Sequence, residues 1–302
     1  MKVFVTGVCG QLGHDVVNEL EKRGYEAIGS DIHPSYNGIE DNSAATKCEY
    51  VSLDITNREA VLEVITKYKP DAVVHAAAWT AVDLAEDEEN IPKVEAINSL
   101  GTKYIAQACK ETGSKMLYIS TDYVFDGKGE EPWQPDCKEY NPLSVYGRTK
   151  LQGELAVADI LDKYFIVRIA WVFGINGKNF IKTMLNVGKK YDTVRVVMDQ
   201  IGTPTYTFDL SRLLVDMLES EKYGYYHATN EGGYISWYDF TVEIFRQAGY
   251  STKVLPVTTA EYGLSKAQRP FNSRLDKEKL IKAGFTPLPD WKDALCRYLK
   301  TL

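Results

Sequence analysis

Tyr146 and Lys150 stand four residues apart in Tyr146-Gly147-Arg148-Thr149-Lys150, at the head of an amphipathic stretch running to residue 158. On a helix, positions i and i+4 lie on the same side. A free phenol titrates at about 10, too high to exchange protons readily at neutral pH. A nearby ammonium stabilises the phenolate, which makes a tyrosine usable as a general acid or base. Such a pair arises often by chance in a chain with 20 tyrosines, so its weight comes from the features that precede it. Thr121 closes an apolar run in Ser120-Thr121-Asp122-Tyr123, where its hydroxyl can hydrogen bond to a reacting carbonyl.

The second group of residues that could do chemistry lies at the start. Thr6-Gly7-Val8-Cys9-Gly10-Gln11-Leu12-Gly13 follows the apolar run Val3-Phe4-Val5 directly. The spacing GxxGxxG is one residue wider at the first gap than the usual dinucleotide fingerprint, but the physics is shared. Glycine permits a tight turn and lets the backbone approach a pyrophosphate, whose charge the amides of the next helix N-terminus stabilise. Gly7, Gly10, Gln11, Leu12 and Gly13 are therefore expected to hold a dinucleotide. Asp31, ending the second strand, is positioned to accept hydrogen bonds from an adenosine ribose and to repel a 2′-phosphate, which leans toward NAD. His33 and Lys47 offer a phosphate partial compensation, so NADH and NADPH both stay open. Asp54 and Ile55 lie where an adenine edge would be held, and Ala76, Ala77 and Ala78 are small enough for a cofactor to rest on the backbone. His75 reads as structural.

These groups need a scaffold, and the pattern supplies one. Strand-like runs at 3–5, 25–29, 50–53, 71–75, 115–120 and 165–170 alternate with helical periodicity at 12–23, 58–68 and 91–112, with a polar loop through 42–46. Strand–helix–strand repetition with short links predicts an α/β fold, a doubly wound parallel sheet of the Rossmann type. Beyond about residue 164 the signals mix, with aromatic loops, Gly232-Gly233 and prolines at 256, 270, 287 and 289. A smaller C-terminal substrate-binding lobe is expected there. The boundaries are 1–170 for the dinucleotide-binding domain, with a returning segment at 205–229, and 171–204 with 230–302 for the lobe.

Composition narrows the class. In 302 residues, 44% are hydrophobic and 25% charged, as in a soluble globular protein. The 42 acidic residues against 35 basic ones argue against nucleic-acid binding. No apolar run approaches a membrane span, and the N-terminal run is too short for a signal-peptide core. Five scattered cysteines without a CxxC or a metal-like spacing to the four histidines read as reduced thiols. The expectation is a cytoplasmic protein with no membrane partner and no zinc site.

Several segments together carry a family resemblance: TGVCGQLG, HAAAWTAVD, STDYVFDG, YGRTK, RIAWVFG, DQIGTPT and RPFNSRL. From end to end the chain resembles the extended short-chain dehydrogenase/reductases, and within them the dTDP-4-dehydrorhamnose reductase family. The resemblance implies Tyr146, Lys150 and Thr121 as the catalytic set, with Lys150 also holding the nicotinamide ribose. It implies Val82, Asp122, Tyr123 and Trp171 in a nucleotide-sugar site, with Arg269 and Asn272 contributing from the second lobe. The implied reaction is reduction by NADPH or NADH of a C4 ketone on a nucleoside-diphosphate 6-deoxy sugar. Some members dimerise through Mg2+ held by interface carboxylates, but no local motif identifies those ligands here, so the homodimer and the metal are carried only as implications.

Tyr123 separates this chain from one close relative. A 4,6-dehydratase of the superfamily would place an acid after Thr-Asp to assist loss of water, and a phenol stands there instead. Two alternatives stay open: a sugar-nucleotide 4-epimerase, which uses the same Tyr and Lys, and a non-catalytic subunit like the regulatory beta subunit of methionine adenosyltransferase.

Overall fold

Val3, Phe4 and Val5 are completely buried, as a central parallel strand covered on both faces requires. They form the middle of β1 (Lys2–Thr6) in the computed structural model, which describes residues 1–37 and 48–302. The loop expected at 42–46, and Lys47 with it, lie outside the described residues. After β1 come α1 (Gln11–Lys22), β2 (Glu26–Asp31), β3 (Glu49–Ser52), α2 (Arg58–Tyr68) and β4 (Ala72–His75).

The run expected as one helix over 91–112 is divided. It comprises α3 (Ile91–Glu95), a π-helical turn (Ala96–Gly101) and α4 (Thr102–Thr112). The reason lies in Asn98. Its Oδ1 accepts from the Trp79 amide at 2.8 Å, while its Nδ2 donates to Trp79 O at 3.2 Å and to Thr149 Oγ1 at 3.1 Å. These bonds fix one widened turn against the neighbouring elements, the setting in which π-turns are most often found.

Next follow β5 (Lys115–Thr121), α5 (Val145–Ile160) and β6 (Tyr164–Ile169). The seven-stranded sheet has the order Gly224–His227, β6, β5, β4, β1, β2, β3, and every pairing is parallel. The chain direction across the sheet reverses between β1 and β4. In doubly wound sheets a crevice opens at that point, outside the carboxyl ends of the strands. One face packs under α1 and the helix Thr207–Leu218, the other under α2, α4 and α5.

The remainder builds its own core of Phe173, Ile181, Val196, Phe240, Phe245 and Trp291 around the parallel pair Thr193–Val197 and Lys253–Val257. Among the described residues no helix is long and apolar enough to cross a membrane.

A buried ion pair joins α5 to the sheet. Glu154 and Arg168, both fully buried, meet through two bonds of 2.8 and 2.7 Å. Arg168 also donates to Pro135 O at 3.1 Å and to the Tyr140 hydroxyl at 3.1 Å. A buried charge is tolerable only when paired and hydrogen-bonded in this way.

Candidate active site

The crevice is a cavity of about 960 Å³. Gly7, Gly10, Gln11, Leu12, Gly13, Asp31, Asp54, Ile55, Ala76, Ala77, Ala78, Val82, Thr121, Asp122, Tyr123, Tyr146, Lys150 and Trp171 lie on its wall, whereas His33, Arg269 and Asn272 do not. At one end the wall is backbone. Gly7 has φ +75°, and a Cβ there would come within 2.7 Å of the Ala77 amide nitrogen. At Gly13 a Cβ would lie 2.2 Å from Gly7 O, so the first turn of α1 presses directly on the loop before it. The N-cap of α1 is Gly10, with no side-chain cap and no acid in the first turn. Its leading amides are thus free of a side-chain acceptor and belong to a helix end that favours negative charge. The donor set suits a pyrophosphate, and the glycine cradle leaves room for it.

Asp31 sits at the rim of that end. Its Oδ2 accepts from the Cys9 amide at 3.1 Å and its Oδ1 from the Ile32 amide at 2.8 Å. The carboxylate therefore also braces the loop it faces. His33 is exposed and off the wall. Asp54 Oδ1 holds a tight turn through Thr56 N and Oγ1 at 2.9 and 2.7 Å. His75 is buried between the hydroxyls of Thr6 (2.8 Å) and Thr102 (3.0 Å), and burial pulls its pKa down to about 3, so it is a neutral structural group.

At the other end the wall is made of side chains. Ser144 caps α5, its hydroxyl accepting from the Gly147 amide at 3.1 Å. Gly147 lets the first turn of α5 close on the end of β5, since a Cβ there would meet Tyr123 O at 2.3 Å. That contact brings Tyr146 to Thr121 and sets its ring edge-on to Tyr123, with centroids 5.5 Å apart. Lys150 follows one turn later, buried, with Nζ donating to Ile119 O at 2.7 Å and lying 4.1 Å from the Tyr118 ring centroid.

The electrostatics correct one expectation. The Tyr146 phenol is pushed up rather than down: burial dominates and the Asp122 carboxyl adds to it, against the neighbouring Thr121 hydroxyl. Lys150 does not figure among the groups that move it. Burial pulls Lys150 down to about 7, with Glu154 acting in the opposite direction. In this arrangement Tyr146 is held as the neutral phenol.

The glycine cradle, the uncapped helix end and the Tyr146–Lys150–Thr121 cluster thus share one cavity in a seven-stranded parallel fold. The family described as RmlD substrate binding domain matches residues 1–302. The chain belongs to that family. It is 37% identical to the dTDP-4-dehydrorhamnose reductase of Aggregatibacter actinomycetemcomitans, over 97% of each chain. Its structure superposes with a TM-score of 0.88 on a crystal structure of a dTDP-4-dehydrorhamnose reductase from Clostridium acetobutylicum, 41% identical and covering 99% of both chains. The same score is found for the dTDP-4-dehydrorhamnose reductase of Bacillus anthracis in complex with NADP, 36% identical and covering 100% of both chains.

For this member of the RmlD family, the second lobe is less simply arranged than its motifs suggest. Trp171 reaches the cavity with φ +51° and stacks on Trp237 at 3.7 Å, so one ring face is already covered. Arg269 is off the wall, held by Asp83 through bonds of 3.1 and 2.7 Å. Asn272 is buried and its polar atoms are occupied. Its Nδ2 donates to Lys128 O and Glu131 O, and its Oδ1 accepts from Arg274. Asn272 thus organises the loops around the site, and Arg269 is anchored by Asp83 close to Tyr123 of the cavity wall.

Reading the sequence missed Asn98, Gly147 and two cations on the wall, Lys93 and Lys178. Gly147 lay inside the quoted YGRTK motif, and its spacing from Ser144 was a legible cap. Nothing local marked the others. Among the described residues no three His, Cys, Asp or Glu side chains group closely enough to hold a metal ion, so no magnesium ligands are assigned.

Proposed function

We propose that this protein reduces the C4 ketone of dTDP-4-dehydro-L-rhamnose to give dTDP-L-rhamnose, using NADPH or NADH. The observation that carries this reading is the sharing of one cavity by the glycine cradle and the Tyr146, Lys150 and Thr121 side chains. The full-length similarity to reductases of that name supports it.

When bound, the reduced nicotinamide supplies a hydride. The chain's own groups do the rest. Gly7, Gly10 and Gly13, with the first amides of α1, would hold the pyrophosphate. Asp31 would meet the adenosine ribose and Lys150 the nicotinamide ribose. Tyr146 gives its proton to the ketone oxygen, and the Thr121 hydroxyl helps offset the charge that develops there, the kind of preorganised stabilisation that usually contributes most. Val82, Tyr123 and Trp171 shape the sugar-nucleotide side. In domain terms we assign residues 1–170 and 205–229 to the cofactor and 171–204 with 230–302 to the substrate. This reading carries with it a cytoplasmic location, where reduced nicotinamide cofactors are available.

The test is direct. The protein is mixed with NADPH or NADH and the 4-keto sugar nucleotide, with the nicotinamide absorbance followed and the product analysed. One cofactor oxidised per sugar reduced is expected. Inversion at C4 without net oxidation would make it an epimerase, and absence of any conversion would leave a nucleotide-binding scaffold.

A further inference from the structure

Val82, Tyr123 and Trp171 reach the cavity wall from three separate parts of the chain, and one segment of the second lobe, residues 267–273, is tied to all three. Beyond Pro270 the ties are main-chain contacts. The Ile201 amide donates to Phe271 O and the Ser273 amide to Ile201 O, both at 2.8 Å. Gly202 is wedged between this segment and Trp171: a Cβ there would lie 3.1 Å from Ser273 Cβ and 2.9 Å from Trp171 Cε2. Pro270 presses on Gly127, where a Cβ would come within 2.4 Å of Pro270 Cα, and the Asn272 amide donates to Gly127 O at 2.8 Å. The Arg269 charge is near enough to act on the Tyr123 phenol.

The leading end of the segment is held by a side chain instead. Residues 261–266 are exposed, and the chain is caught again at Asp83, the residue after Val82. Asp83 Oδ1 accepts from the Lys266 amide at 3.1 Å, the Ala267 amide at 3.0 Å and Arg269 Nη1 at 3.1 Å. Its Oδ2 accepts from Arg269 Nη2 at 2.7 Å, which completes a two-pronged guanidinium–carboxylate contact. Lys266 adds an ion pair to Asp87. One carboxylate of the β4–α3 connection therefore takes four bonds from residues 183 to 186 positions away.

We propose that Asp83 is a positioning residue for the sugar nucleotide. By fastening the second lobe beside Val82, it fixes the spacing of Val82, Tyr123 and Trp171 across the cavity and so sets the affinity for the nucleoside-diphosphate sugar, with no part in the proton or hydride step. The identity of the ligand rests on the reductase reading given above.

The side chains of Asp83 and Arg269 are 45% and 24% exposed, and a pair so open to water adds little to the stability of a whole fold. Its effect is local. A wall ordered before the ligand arrives spares binding the cost of ordering it. The guanidinium also keeps the Asp83 carboxyl below the usual carboxylate range, so the anchor is charged at neutral pH. The glycine cradle, built from β1 and α1, lies at the other end of the cavity and should not sense the loss of this anchor.

The experiment compares the wild type with Asp83→Asn, Arg269→Gln and the double variant, with far-UV circular dichroism to verify folding. An asparagine keeps one acceptor oxygen but turns an NH2 group toward the guanidinium. In Asp83→Asn, KM for the 4-keto sugar nucleotide and the calorimetric Kd for dTDP should each rise about tenfold, the loss expected for a hydrogen bond to a charged group. Its kcat and its Kd for NADPH should stay within about twofold of the wild type, far below that tenfold loss. The Lys266 and Ala267 amides should exchange hydrogen faster, and the double variant should bind dTDP no more weakly than the weaker single one. An unchanged dTDP affinity in Asp83→Asn overturns the proposal. So do equal losses for dTDP and NADPH, a fall in kcat with KM unaltered, or additive losses in the double variant. Wild-type protein that binds dTDP through this anchor yet reduces no sugar would sink the reductase reading alone.

Discussion

The two ends of the cavity are built by different means. At the cofactor end, main-chain amides and carbonyls face the space, and the side chains that matter are those that are missing: Gly7 and Gly13 would each drive a Cβ into backbone. At the other end, side chains project from β5 and α5; Lys150 Nζ and the Thr121 hydroxyl are hydrogen-bonded, while Ser120 Oγ and Asp122 Oδ2 are buried without a partner. A backbone cradle tolerates variation in side chains but no added atom. A side-chain cluster tolerates small shifts of the backbone, but its chemistry depends on each proton. The first end should therefore fail by losing affinity and the second by losing rate.

Four substitutions would break or sharpen that contrast. The largest effect is expected for Tyr146→Phe, which removes the proton donor and should cut kcat about 10²–10⁴-fold. Cofactor affinity, read by fluorescence titration, should stay nearly unchanged; an unaltered kcat would refute the assignment. Glu154→Gln comes next, because it leaves the buried Arg168 charge without its partner. A loss of about 3–5 kcal/mol in unfolding free energy is expected by chemical denaturation. Stability equal to the wild type would mean that the pair does not anchor α5.

Gly13→Ala should act at the other end. The methyl must displace the loop at Gly7, an overpacking cost of about 1–3 kcal/mol. Cofactor affinity should drop correspondingly, with kcat at saturating cofactor largely kept. A fall in kcat alone would erase the distinction between the ends. Smallest is Asp31→Ala, expected to weaken NADH more than NADPH, by about tenfold for NADH if a charged hydrogen bond to the ribose is lost. Because Asp31 also braces Cys9, some loss for both cofactors is expected; equal losses would show that it does not read the ribose.

Much of the cofactor end was legible in sequence, since its signal is local: a buried strand, glycines at fixed spacing, and a helix pattern, all within the first 23 residues. The position of Asp31 followed from counting strands. The reacting end was legible only as a list of residues. Tyr146 and Lys150 stood out by spacing only together with the features before them, and the direction of the phenol's pKa did not follow, because burial, which no local pattern records, dominates it and Lys150 is not among the groups that move it. The single helix expected over 91–112 missed the π-turn because Asn98 is fixed by Trp79 and Thr149, partners 19 and 51 residues away. Arg269 and Asn272 were expected at the substrate, yet Asp83 anchors the Arg269 guanidinium and the Asn272 amide is taken up by Lys128, Glu131 and Arg274.

By itself, then, the order of residues determined the parallel α/β architecture and the glycine turn, since each depends on periodicity or on neighbours a few positions apart; Tyr146, Lys150 and Thr121 it offered only as candidates, through the resemblance. Which protons those groups hold, and which motif residues face the cavity, was decided by the tertiary structure alone. Desolvation and hydrogen-bond valence depend on everything packed around an atom, and for Asp122, Thr121 and Tyr146 that surrounding comes from β5, α5 and the second lobe together.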